Sequence, residues 1–127
     1  MSPLSRCRVL LAEDEALVAM ELTMDLEDAG ADVIAVTNLN AALDAIGTGE
    51  DVPFDAALLD VNLNDRDVFP AARLLDGRGV PIVFHTGHAK PEDIARDFPA
   101  ATTLTKPVQS HAIIRALADS IEGTARH

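Results

Sequence analysis

The stretch Phe54-Asp55-Ala56-Ala57-Leu58-Leu59-Asp60 holds four consecutive apolar residues and stops on an acid. A strand with one wet face alternates apolar and polar residues, whereas an unbroken apolar run of this length fits a strand covered on both faces, as in a parallel sheet. Similar runs flank it. Arg8-Val9-Leu10-Leu11-Ala12 and Asp32-Val33-Ile34-Ala35-Val36 precede it, and Val80-Pro81-Ile82-Val83-Phe84 and a shorter Ala101 to Leu104 follow. Helical patterns separate these runs. From about Glu15 to Ala29, Leu17, Met20 and Met24, with Ala16 and Leu26, recur at helical spacing before Gly30. Asn38 is placed to cap a helix carrying Leu39, Ala42, Leu43 and Ile46, which Gly47 and Gly49 end. A polar loop, Asn62 to Asp67, leads into a helix of about Val68 to Leu75, with Gly77 and Gly79 beyond it. The last helix spans about Val108 to Ile121 and carries Ile113, Ile114, Leu117 and Ile121. Between Thr86 and Ala100, Gly87, Pro91 and Pro99 leave room for at most two helical turns around Glu92 to Phe98.

Strands alternating with helices imply right-handed crossovers, so the expected fold is a doubly wound α/β domain with a five-stranded parallel sheet. The 127 residues are enough for one such domain. With only four Phe and no Trp or Tyr, its core must come mainly from Val, Leu, Ile and Ala. A formal net charge of −11 argues against nucleic acid and against an anionic membrane surface as partners, since both attract clustered Lys and Arg. Cys7 stands alone, which excludes an internal disulfide and fits a reducing compartment; a cytoplasmic location is expected, with Cys7 a packing residue. No apolar run approaches the length of a membrane helix, and Glu13, Asp14 and Glu15 interrupt the run that begins at Val9.

In sheets of this kind the ligand site lies beyond the carboxyl ends of the strands. There the sequence puts Glu13-Asp14 after the first strand, Asp60 on the third, Thr86 after the fourth and Lys106-Pro107 after the fifth. Each has an ordinary alternative as a loop acid, a cap or a solvated lysine, but together they would converge on one rim. Three carboxylates about 6 Å apart repel by roughly 3 kcal/mol per pair at an effective dielectric near 20. A hard, partly hydrated cation such as Mg²⁺ answers that repulsion. Glu13, Asp14 and Asp60 would be its ligands, with the backbone carbonyl of Asn62 as a further one. Asp60 would double as a nucleophile forming an acyl phosphate, whose peripheral oxygens fall to the metal, the Lys106 ammonium and the Thr86 hydroxyl.

These residues, in this order and at about this spacing, resemble the receiver domains of two-component response regulators along essentially the whole chain. The resemblance implies a flavodoxin-like (βα)5 fold with strand order 2-1-3-4-5. It implies Mg²⁺-dependent transfer of a phosphoryl group to Asp60 from a sensor histidine kinase or histidine phosphotransfer protein. Thr86 and Lys106 would read the phosphoryl group out, and the Lys106-Pro107 bond would be cis. The domain would be no conventional enzyme, but a phosphoacceptor that catalyses its own phosphorylation and dephosphorylation. It would act as a monomer or weak dimer, through contact with an unknown downstream protein or as a phosphate sink, because the chain stops after the last helix with no effector domain.

Two features depart from the common pattern. Where the family often has a Tyr or Phe that turns inward on activation, three residues before the lysine, this chain has Thr103. The stretch Pro81-Ile82-Val83-Phe84-His85-Thr86-Gly87-His88 is similar to the Pro-Phe-x-Phe-Ala-Thr-Gly-Tyr motif of receivers that include many stand-alone regulators, although Ile82, His85 and His88 differ. The fourth helix is therefore expected to be short or mobile, and ordering of residues 86–100 to replace the aromatic switch. His88 could guard the site against water. Asp65, Arg66 and Asp67 read as a solvated turn that could also tune the site, and His85, His111 and His127 as structural or exposed. Two other readings are a phosphorylation-independent binding module and a haloacid-dehalogenase-type phosphatase. The second lacks its acid two residues after the nucleophile, where Asn62 stands, and no Gly-rich phosphate loop follows the first strand.

Overall fold

A computed structural model describes residues 2–49, 53–87 and 90–125. Its five main strands are β1 (Arg8–Ala12), β2 (Asp32–Val36), β3 (Ala56–Asp60), β4 (Ile82–Thr86) and β5 (Thr102–Thr105). All pair in parallel, in the order 2-1-3-4-5, the expected doubly wound arrangement. The helices are α1 (Ala16–Asp28), α2 (Leu39–Ile46), α3 (Phe69–Gly77), α4 (Pro91–Asp97) and α5 (Ser110–Ala125).

The unbroken apolar runs follow from the two layers they feed. Successive side chains of a strand point to opposite faces. Leu10, Ala12, Ala57, Leu59 and Phe84 thus pack with α2, α3 and α4, while Val9, Leu11, Ala56, Leu58 and Val83 pack with α1 and α5. Every residue of β3 is buried, so no position in it can be polar without a partner, and Asp60 is its only charged residue. β2 lies at an edge and buries only Val36 fully.

Local chemistry starts three of the helices. Asn38 Oδ1 accepts from the Ala41 N–H at 2.8 Å, and Pro70 and Pro91 stand in the first turns of α3 and α4, where the missing N–H costs nothing. α4 is short, at 7 residues.

The structure corrects several boundaries and one face. α3 runs on to Gly77, because the left-handed residue that closes its C-terminus is Gly79, φ +76°. β4 takes in Thr86, and α5 starts at Ser110 rather than near Val108. The polar loop at 62–67 is a hairpin, Asn62–Leu63 antiparallel to Arg66–Asp67. Asn64 and Asp65, at φ 50° and 66°, form its two-residue turn, the left-handed pair a tight hairpin requires and Asn and Asp tolerate. In α1 the stripe singled out from the sequence faces away from the core: Leu17, Met20 and Met24 are 71%, 55% and 58% exposed. Ala19 and Leu22 lie against the sheet instead, together with Leu26, the one residue of the sequence reading that is buried. α1 carries two apolar stripes of equal period, and the small Ala19 lets the second approach the strands.

Candidate functional site

The carboxyl rim is assembled by backbone ties that extend the strands by one residue. Glu13 N–H donates to the Val36 carbonyl at 3.0 Å, so its side chain leaves β1 on the α1 and α5 side, the side also taken by Asp60 and its register partner His85. Lys106 N–H donates to the Thr86 carbonyl at 2.8 Å, just before the cis Lys106-Pro107 bond.

The side chains meet there. Lys106 Nζ lies 2.9 Å from Asp60 Oδ2 and 3.6 Å from Glu13 Oε2. Asp60 Oδ1 accepts the Asn62 N–H at 3.3 Å, and Asp14 Oδ2 accepts the Asn64 N–H at 2.9 Å. Carboxylate oxygens of Glu13, Asp14 and Asp60 come within 4.8 Å of one another. Glu13 is fully buried, and neither of its oxygens has a hydrogen-bond partner among the described residues.

Charge is unevenly answered in this cluster. Burial raises the Asp60 carboxyl, but the Lys106 hydrogen bond, the neighbouring Glu13, the Lys106 charge and the Asn62 N–H together hold it below the ordinary carboxylate value. Burial also works against the Lys106 ammonium, and its carboxylate neighbours more than offset that, leaving its pKa raised. Glu13 is pushed up to about 7, by burial first and then by the adjacent Asp60, with Lys106 opposing and Asp14 adding to the rise. His85 is lowered to about 4 by burial and by the Lys106 charge, against a weaker pull from Asp60, so its imidazole is neutral at pH 7. One ammonium among three carboxylates leaves Glu13 without a cation of its own.

The donor set suits a hard divalent cation. Buried carboxylate oxygens with no partner are costly, and three acids plus room for water match the preference of Mg²⁺ for oxygen ligands and partial hydration. Asp14 is half-buried and so gives an ion a route in from solvent.

Of the residues expected from sequence, Glu13, Asp14, Asp60 and Lys106 come together, and Thr86 is buried at the end of β4, tied to Lys106 through its backbone carbonyl. At Asn62 the group seen at Asp60 is the N–H. Thr103 is half-buried in β5, in register with Phe84. On that layer the rings of Phe69, Phe84 and Phe98 pack at 5.4 to 6.1 Å between centroids. His88 and His127 lie outside the described residues. Asp65, Arg66 and Asp67 are exposed, and Asp67 Oδ1 accepts the Phe69 N–H at 3.1 Å at the start of α3. His111 is exposed, and burial, with the Asp55 charge, raises the half-buried Cys7 thiol, which disfavours the reactive thiolate. Sequence reasoning missed Asn64 and His85. Nothing in the spacing tied Asn64 to Asp14, and His85, read as structural or exposed, is buried directly after the apolar run Val80 to Phe84.

No helix among the described residues is long and apolar enough to cross a membrane. The family model of the response regulator receiver domain matches residues 9–118. The transcriptional regulatory protein PdtaR of Mycobacterium tuberculosis is 32% identical over 113 residues, 87% of this chain and 54% of that protein. A probable transcriptional regulatory protein of Picosynechococcus is 27% identical, over 87% of this chain and 47% of that one. The chain thus spans about half the length of the curated relatives it matches. Among solved structures, a response regulator receiver protein from Sinorhizobium medicae superposes with a TM-score of 0.82 at 28% identity, covering 95% of this chain and 98% of that one. A sensor protein from Polaromonas gives 0.78 at 28% identity, covering 94% and 98%. With the parallel sheet, its order and the acidic rim in agreement, the chain belongs to the response regulator receiver domain family of two-component signalling.

Proposed function

We propose that this domain accepts a phosphoryl group on Asp60 from a phosphohistidine of a sensor kinase or phosphotransfer protein in the cytoplasm, and passes the signal on by protein contact. The observation that carries this is the Asp60 carboxylate, held ionised within 2.9 Å of Lys106 and within reach of Glu13 and Asp14. An Asp60 oxygen attacks phosphorus as the P–N bond to the donor imidazole breaks, and the departing nitrogen keeps the electron pair. Lys106 and Thr86 meet the developing charge on the phosphoryl oxygens. Glu13, Asp14 and Asp60 would hold Mg²⁺, with the Asn62 carbonyl as a further ligand; the ion supplies charge neutralisation for phosphoryl and carboxylate oxygens. Hydrolysis by water at the same phosphorus resets the domain, so catalysis stays confined to its own acyl phosphate.

The donor must reach the rim, and α1 begins two residues after Asp14. Its exposed Leu17, Met20 and Met24 offer that partner an apolar face, of the kind that marks protein contacts. On the other layer, with Thr103 in place of an aromatic residue, output runs through the segment from Thr86 into the short α4.

Incubation with a small phosphodonor, with and without Mg²⁺, then intact-mass analysis, tests the reading. A single phosphoryl adduct that needs Mg²⁺ and is absent from Asp60→Asn is expected. No adduct would favour a phosphorylation-independent binding module, and continuous release of phosphate a phosphatase.

A further inference from the structure

Among the described residues, His85 is the one buried polar side chain of the rim to which the phosphoryl chemistry gives no task. It is 2% exposed, sits in β4 in register with Asp60, and its Nε2 has no hydrogen-bond partner among the described residues. That nitrogen lies 3.8 Å from Glu13 Oε2, itself fully buried and unpartnered. Two buried polar atoms that face each other without a hydrogen-bond partner cost stability unless some state of the protein joins them. At 3.8 Å the pair is a contact rather than a hydrogen bond, and a shift of less than about 1 Å makes it one.

From this geometry we infer that His85 is a positioning residue for the metal ligand Glu13: its Nε2–H donates to Glu13 Oε2 and leaves Oε1 turned toward the cation. The inference rests on the metal-binding reading above. Lys106 is a competing donor to that oxygen, but its three N–H groups are divided among several claims. Its ammonium stands 3.6 Å from the same Glu13 oxygen but is committed to Asp60 at 2.9 Å, and the incoming phosphoryl group claims it next. Asp14 is steadied in the same way, by the N–H of Asn64. Each acid that follows β1 would then have one protein donor on one oxygen, leaving the other for the metal, which is how groups behind a metal ligand commonly fix its orientation. An aliphatic residue at position 85 would fill the layer as well and leave Glu13 free to turn.

The test is a calorimetric Mg²⁺ titration of the wild type, His85→Leu and His85→Gln, with melting curves of the metal-free proteins. His85→Leu is expected to weaken Mg²⁺ by about tenfold or more, the usual effect of removing such a donor, while its metal-free melting temperature stays level or rises. His85→Gln, which keeps an N–H donor, should recover part of the affinity. A wild type that takes up no Mg²⁺ overturns both readings. A wild type that binds, with His85→Leu within about twofold of it, overturns this inference alone, as does a lower metal-free melting temperature with unchanged affinity. If His85→Leu does not fold, the imidazole ¹⁵N resonances of the wild type decide. A proton on Nε2 and an Nε2 shift on adding Mg²⁺ support the inference; a proton on Nδ1 alone overturns it.

Discussion

At the amino end of the sheet β1, β2 and β5 start on the exposed or half-buried Arg8, Asp32 and Thr102, β3 and β4 start on the buried apolar Ala56 and Ile82, and no polar residue is buried there among the described residues. At the carboxyl end β1, β3 and β4 lead to Glu13, Asp60, His85 and Thr86, the four polar side chains buried among the described residues. Both ends stand on the same apolar layers, so the contrast is not one of packing. Polar groups tolerated only with partners have been gathered where the strands run out, and the partners present fall short by at least one cation. The middle of the sheet supplies stability, and the carboxyl rim gives some of it up for chemistry.

The contrast can be broken from either side. Leu58→Ala, in the fully buried middle of β3, should cost about 2–5 kcal/mol in urea unfolding and still be phosphorylated while folded. A loss of phosphorylation without a loss of stability would mean that the rim is not separable from the core. Next in size is the metal. At about ten times its Kd, Mg²⁺ should stabilise the wild type by roughly 1.4 kcal/mol, read as a higher melting temperature, and Asp14→Ala should remove the rise.

A pH effect sharpens the contrast further. In the metal-free protein Glu13 is raised from 4.5 to about 7, so its contribution to stability is complete below pH 4.5 and is lost as pH rises through 7. His85 is lowered from 6.5 to about 4, so its contribution is present above pH 6.5 and is lost as pH falls toward 4. The two trends oppose each other where they overlap. Urea midpoints should therefore decline with rising pH in His85→Leu, where Glu13 acts alone, and decline with falling pH in Glu13→Gln, where His85 does. The opposite slope in either variant would mean that these two groups do not govern the rim. The smallest effect belongs to α1: Leu17→Ser should change stability by no more than about 0.5 kcal/mol, since the residue is 71% exposed.

The contrast also explains what could be read from the chain. The parallel sheet was legible because β1, β3 and β4 are buried on both faces, which leaves an apolar run that a one-sided strand does not have. Glu13, Asp14, Asp60 and Lys106 were legible because each follows or ends such a run, and strand ends are where such sheets keep their chemistry. The seated face of α1 was not, since Leu17, Met20 and Met24 have the same period as Ala19, Leu22 and Leu26, and only the strands beneath choose between them. The hairpin at Asn64 and Asp65 was hidden because its left-handed pair is Asn-Asp, without the glycine that usually signals such a turn. His85 was passed over because its place beside Glu13 is set by register across β1, β3 and β4, which no local spacing encodes.

The most direct test is to locate the phosphoryl group. After phosphorylation with a small donor and Mg²⁺, borohydride reduction converts an acyl phosphate to an alcohol and marks its position in a peptide map. The account predicts homoserine at position 60 and nowhere else; a reduced residue at Glu13 or Asp14, or an unmodified Asp60 in protein that carries the adduct, would contradict it.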